Sequence, residues 1–348
     1  MAVRTRSELT RLLDASGIAF ETIASGRCWM IVAPALAARI MGAGVGEENA
    51  FWVPPVISTR GWDAGGNAGG QRTWIAPEGG PSGFFFSADG TRWSVASELD
   101  PGAWRAAPAA AGWKKYHAAL TARSADRTSR KITLDREMKL EEAADGSLLR
   151  IHFRHTLGNA GSTPLAHRIG LWSLIQLPCD QEGVLFASGT PKLRSYFGTL
   201  PRVTTADEEK YLRLRVKGGT RYKAGMSPAD FAGTIGFVRR ARMAEGGTSP
   251  LTLTAMRFAV VPAGTYVDKA SHVLPGAPPN GDAAQIYCDA GTGDLAFCEI
   301  EAHAPAPSLA PGESQGQDIV ITVGRIEEKD LTGFMANELG IESWRDGL

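Results

Sequence analysis

Residues 147–157 read Ser-Leu-Leu-Arg-Ile-His-Phe-Arg-His-Thr-Leu, and their alternation decides the fold. Leu149, Ile151, Phe153, His155 and Leu157 fall on one side of an extended chain, and Arg150, His152, Arg154 and Thr156 on the other. Successive side chains of a strand point to opposite faces, so this stretch is a strand with one buried face. Asp145-Gly146 just before it is a hairpin turn signal, and residues 131–140 beyond that turn form a charged strand. After a turn at 159–163, residues 165–177 are nearly continuous in apolar side chains, which predicts a central strand covered on both faces. Working outward, strands are expected at 27–33, 38–42 and 50–53, then at 211–216, 234–243, 251–260, 284–288, 295–303 and 317–325. Residues 60–112 are rich in Gly, Pro and Trp and read as long loops around short strands, a length that is unusual unless functional. Helix is signalled at the ends alone, by Leu9, Leu12 and Leu13 within 5–16 and by the tail from Glu327 to Gly340. The pattern predicts an all-β chain: one large antiparallel β-sandwich, with an N-terminal helical segment at 1–19, the sandwich at 20–326 and a tail at 327–348.

Composition narrows the function classes. The 348 residues carry 37 Lys and Arg against 37 Asp and Glu, so the formal charge is zero. A general phosphate-backbone binder needs clustered cations, so no nucleic-acid partner is expected. No stretch approaches the ~20 apolar residues that span a bilayer, so no membrane partner is expected. No apolar signal core follows Met1, which makes cytoplasmic residence the expectation. The four cysteines, Cys28, Cys179, Cys288 and Cys298, form no CxxC pair and read as reduced, buried thiols. The 41 glycines and 20 prolines fit many short strands joined by turns.

Several segments together resemble the galactose-mutarotase-like, or aldose 1-epimerase, superfamily, and most closely its uncharacterised branches. Residues 28–42, Cys-Trp-Met-Ile-Val-Ala-Pro-Ala-Leu-Ala-Ala-Arg-Ile-Met-Gly, resemble its opening hairpin. Residues 69–80, Gly-Gly-Gln-Arg-Thr-Trp-Ile-Ala-Pro-Glu-Gly-Gly, resemble the Gly-Gly-x-Arg-x-Trp-x-x-Pro-Glu box of those branches. Residues 155–165 are similar to its strand-turn-strand, residues 170–177 follow at the expected interval, and residues 299–314 resemble its late strand with a Leu-x-Pro-Gly-Glu turn. The resemblance implies a supersandwich fold over most of residues 20–325. It also implies a sugar or sugar-acid ligand and proton-transfer chemistry by a His acid and a Glu base. Glu301 or Glu299 matches the late Glu. Trp172 stands where one family His is expected, and the Leu-His-Gly-Gly box of the other has no counterpart.

The candidate site residues follow from both readings. Phe297, Glu299, Glu301 and His303 share one face of a strand whose other face, Ala296, Cys298, Ile300 and Ala302, is apolar. Two carboxylates two residues apart on a strand lie roughly 7 Å from each other, and in a cleft such neighbours can split into an acid and a base. An incidental pair on a solvated strand face is the competing account. Glu301 is expected as base, with Glu299 or Glu78 as acid. Arg72 can bind a carboxylate or phosphate through its planar fork. Trp74 and Trp172 can stack on a sugar ring, and Gln176 is a lone amide on an apolar strand that needs partners. His155 lies beside Ile151 and Phe153, which favours a packed core histidine, and is kept among the candidate ligand contacts. His117 and His272 have no identifiable context. No metal site and no cofactor are expected. The expected function is carbohydrate-active, acid/base epimerisation or related chemistry on a sugar or sugar acid. The alternatives are a non-catalytic carbohydrate-binding module and a polysaccharide lyase or glycoside hydrolase.

Overall fold

The computed structural model of the chain describes residues 3–58, 66–86, 91–204, 210–241, 250–268, 280–342 and 344. The chain opens with α1 (Arg6–Ala15), capped by Thr5 and Glu8 in a reciprocal capping box. Next come β1 (Glu21–Ser25), β2 (Cys28–Ala33), β3 (Arg39–Val45), β4 (Gln71–Ala76), β5 (Arg105–Ala107), β6 (Lys114–Arg123), β7 (Ser129–Glu142) and β8 (Leu148–Asn159). The second half holds β9 (Gly170–Pro178), β10 (Gly183–Gly189), β11 (Leu193–Phe197), β12 (Val203–Thr204), β13 (Tyr211–Val216), β14 (Tyr222–Met226) and β15 (Phe231–Arg240). It ends with β16 (Leu251–Phe258), β17 (Ala284–Cys288), β18 (Phe297–His303), β19 (Ser314–Ile326) and α2 (Leu331–Leu339).

Two antiparallel sheets result. Nine strands run β1-β2-β3-β4-β9-β18-β17-β14-β11, and ten run β12-β13-β10-β15-β16-β19-β8-β7-β6-β5. The alternation of 147–157 is realised in β8, where Leu149, Ile151, Phe153, His155 and Leu157 are buried. Thr73 on β4 reaches His155 on β8, so the odd-numbered side chains of β4 face the second sheet and Arg72 and Trp74 face away from it. The nine residues of β9 are all buried, as a strand covered on both faces requires. All four cysteines are buried free thiols. Among the described residues no helix is long and apolar enough to cross a membrane.

The local expectations need three corrections. Residues 50–53 form no strand, because Pro54 and Pro55 follow. Instead the Trp52 amide donates to the Gln176 carbonyl, and the Trp52 carbonyl accepts from Gly70. The strand expected at 165–177 begins only at Gly170, because Ala166 and His167 take left-handed backbone conformations (φ 51° and 56°) that end regular pairing. No strand is expected at β1, β6, β10, β11, β12 or β14, and β4 and β5 are the short strands within 60–112. Of the strand expected at 234–243, residues 242 and 243 lie outside the described residues, as does His272. His117 lies at the surface beside Asp135, at 2.6 Å.

Candidate functional site

The register of six strands builds one polar face. Phe197 on β11 pairs with Lys223 on β14, Lys223 with Tyr287 on β17, Tyr287 with Glu299 on β18, and Glu299 with Gln176 on β9. Directly paired residues of an antiparallel ladder project to the same side, so these five make one row. The next row on that side holds Gly225, Gln285, Glu301, Leu174 and Arg72, and the one beyond it His303, Trp172 and Trp74. Cys288, Cys298, Ile300 and Ala302 fall on the opposite, core side, as the alternation of 297–303 requires.

Glu301 is the centre of this face, and it is fully buried. The Lys223 Nζ lies 3.5 Å from its Oε2 and 2.8 Å from Glu78 Oε2. His303 Nε2 is 3.8 Å from the same Glu301 oxygen, beyond hydrogen-bond length. Burial pushes the Glu301 carboxyl up, but the Lys223 ammonium and His303 outweigh it and hold the group below the ordinary carboxylate range. Burial opposes charge on Lys223 too, and Glu301, Glu78 and Asp268 more than offset it, raising its pKa. Lys223 also stands 4.7 Å from the Trp172 ring centroid, a cation–π contact. Trp172 stacks on the His303 ring with centroids 5.4 Å apart.

One row away, Glu299 behaves oppositely. Its Oε1 accepts from Arg72 Nη2 at 3.1 Å and from Gln176 Nε2 at 2.6 Å. Desolvation nevertheless dominates and lifts its pKa to about 7. Arg72 is itself buried, which pulls its pKa to about 10 against the pull of Glu299, and its guanidinium lies 4.0 Å from the Trp74 ring centroid. The Trp74 indole donates to Asp100 at 2.9 Å, and Asp100 pairs with Arg39. Glu78 sits at the rim, accepting from Trp93 Nε1 at 3.0 Å while its amide donates to Asp268 at 2.7 Å. Asp268 in turn accepts from Gln285 at 2.7 Å, and Gln285 also donates to the Tyr196 hydroxyl.

Buried polar groups in a folded chain nearly always find partners. Here both oxygens of Glu301, both ring nitrogens of His303, the indole nitrogen of Trp172 and the side-chain carbonyls of Gln176 and Gln285 have no hydrogen-bond partner among the described residues. They cluster on one sheet face. A polyhydroxylated ligand supplies the donors and acceptors such a cluster lacks. No group of three or more His, Cys, Asp or Glu side chains is placed to hold a metal ion among the described residues.

The structure therefore gathers Arg72, Trp74, Glu78, Trp172, Gln176, Glu299 and Glu301. It does not bring His155 to them. That ring lies between the sheets, against Thr73 (3.3 Å) and Gln317 (2.7 Å), and burial lowers its pKa to about 4. The glycines of the 69–80 box also have a structural reason. Gly69 and Gly70 hold φ of 76° and 70°, and a Cβ at either would collide with the carbonyl oxygen of Trp52 or Ile40. Sequence reasoning missed Lys223, Asp268 and Gln285. The alternation of Tyr222, Ala224 and Met226 about Lys223 was the available signal for the first; Asp268 sits in an irregular segment with no pattern to mark it.

Comparison with known proteins places the chain. The profile of a family of unknown function, DUF6786, matches residues 15–342. The chain belongs to DUF6786. No curated protein matches it. Among solved structures, this DUF6786 chain is similar to a candidate aldose 1-epimerase from Escherichia coli K12, at TM-score 0.54 and 12% identity, over 89% of this chain and 100% of that one. A galactose mutarotase-like protein from Lactobacillus casei gives TM-score 0.50 and 10% identity, over 88% and 100%. A candidate aldose 1-epimerase from Klebsiella pneumoniae gives 0.51 and 12%, over 99% and 96%. At such identity the likeness shows the fold: this DUF6786 member shares the two-sheet supersandwich of those structures.

Proposed function

We propose that the chain binds a sugar or sugar acid on the face centred on Glu301 and catalyses acid/base epimerisation at its anomeric carbon. The observation that carries this reading is the Glu301 carboxylate, fully buried, held ionised beside Lys223 and without a hydrogen-bond partner on either oxygen. A buried base kept charged by a neighbouring cation, with no hydrogen bond to either oxygen, is ready to accept a proton from a ligand. Glu299, two residues along the same strand with its pKa raised to about 7, supplies the opposite member. Neighbouring carboxyls pushed apart in this way divide the acid and base roles.

The proton movements balance. Glu301 takes the proton of the anomeric hydroxyl as the carbonyl forms at C1. The C1–O5 bond breaks, and the ring oxygen receives the proton of Glu299. Rotation about C1–C2 and the reverse transfers close the ring as the other anomer. Arg72 and Gln176 fix Glu299, while Trp172, stacked on His303, walls the ring's position. A screen of hexoses and hexuronic acids by thermal shift, followed by anomer exchange in NMR on each binder, tests the proposal. Binding with accelerated exchange supports it; no binding by any sugar defeats it. A second reading, a non-catalytic binding module, draws on Trp172 standing where the superfamily pattern has a histidine. Binding without accelerated exchange favours that reading.

A further inference from the structure

The polar face does not stop at Glu299. Its row continues outward through Tyr287 and Lys223 to Phe197 on β11, the edge strand of the nine-stranded sheet. At about 4.8 Å between neighbouring strands, this row runs roughly 14 Å from Glu299 to Phe197. Phe197 is 36% exposed, an uncommon state for a phenylalanine. Its ring meets Tyr287 at 6.3 Å, and Tyr287 meets Phe297 at 6.0 Å. The exposed Arg221 holds its guanidinium 5.4 Å from the Phe197 centroid and 5.9 Å from that of Tyr287. The two rings meet edge to face at 71°, so the result is a stepped aromatic shelf with the Arg221 guanidinium over it, reached from solvent at Phe197.

A register shift produces it. Ser195 pairs with Ala224 and Phe197 with Lys223, so Tyr196 is an extra residue on β11. Such bulges re-aim side chains and concentrate beside sites. Here the bulge turns Tyr196 inward, where its hydroxyl donates to Asp282 at 2.8 Å and accepts from Gln285. The same shift sets Phe197 in register with Lys223, Tyr287 and Glu299.

We propose that this shelf of Phe197 and Tyr287 is a second sugar subsite, so that the ligand class is a disaccharide or longer glycoside whose reducing ring lies over Glu301. The inference rests on the proposed function for the inner ring. Continuity with the Glu299 row names the occupant: a ligand held at Glu299 that is longer than one ring has Tyr287 and Phe197 next along the same sheet face. Pyranose rings carry apolar C–H faces that stack on aromatic rings, and their hydroxyls accept from a guanidinium such as that of Arg221.

Isothermal titration of the full chain with matched pairs, glucose against maltose and cellobiose, and galactose against lactose, tests the shelf. The expected result is binding about tenfold tighter for the disaccharide of at least one pair, the gain of one well-placed stacking contact. Phe197→Ala should cut that gap to about twofold and Phe197→Trp should keep it, on the same affinity scale. Equal affinities within every pair, or a gap that Phe197→Ala leaves intact, overturns the shelf and leaves the single-ring site standing. No binding by any sugar defeats the proposed function, and the shelf falls with it.

Discussion

Lys223 Nζ stands 3.5 Å from Glu301 Oε2, and both side chains are shut away from solvent. Burial alone drives a carboxyl toward its neutral form. The ammonium reverses that drive, and it does so while also pairing with Glu78 at 2.8 Å. One cation from β14 thus ties the loop after β4 to β18 and keeps the proposed base charged.

Lys223→Met removes the cation and leaves the desolvation. Breaking a buried pair from one side costs about 3–5 kcal/mol. In the native chain Glu301 has a depressed pKa, so its contribution is present above the unfolded value and is lost as pH falls through the folded one. In the variant Glu301 becomes an acid with a raised pKa, whose penalty is relieved by protonation. The stability gap, read by urea unfolding, should be widest near pH 7.5 and shrink toward pH 4. An equal gap at both ends contradicts the pairing account.

Glu299 gives the opposite sign. With its pKa raised to about 7 by burial, the stability linked to its protonated form is full below the unfolded carboxylate value, near 4.3, and is lost as pH rises through about 7. The melting temperature of the native chain relative to that of Glu299→Gln should decline across that window. If Glu299 is the acid, kcat/KM carries an alkaline limb near pH 7, since that ratio reports groups of the free protein. An activity still rising above pH 8 contradicts this role.

His155→Asn should cost stability and spare turnover. The ring is fully buried and bonded to Thr73 and Gln317, so the loss is about 1–3 kcal/mol. Its pKa of about 4 means a neutral ring in the folded chain. Protonation of the unfolded chain then drains stability as pH falls from about 6.5 toward 4. Glu299 tilts stability the other way across this window, so the His155 effect is read as a difference: chemical unfolding should find the native chain's advantage over His155→Asn larger at pH 7 than at pH 5. Lost turnover with unchanged stability would move His155 into the site.

What the sequence disclosed and what it hid divide along physical lines. Alternation in 147–157 and 297–303 reports which side of a strand is apolar, and the burial of Phe153 and Ile300 follows from it. That same alternation left two accounts of Glu299 and Glu301, a cleft or a wet surface. Only tertiary register decides between them, because the cover comes from Lys223 and Gln176 on other strands. Lys223 stayed hidden because β14 is five residues long and carries a glycine and a lysine, a weak strand signal. The break at Ala166 and His167 hid inside an apolar run because left-handed backbone at non-glycine residues leaves little trace in sequence.

The central claim is that Glu301 is the base. Anomer exchange of a bound sugar, followed by NMR at pH 6.5 for the native chain and Glu301→Gln, tests it most directly. The swap is nearly isosteric, and Lys223 retains Glu78 as partner. The account predicts a loss of about 10²–10⁴-fold in exchange rate, the usual contribution of a general base, with sugar affinity and cooperative unfolding retained. A Glu301→Gln chain that exchanges anomers at the native rate contradicts it.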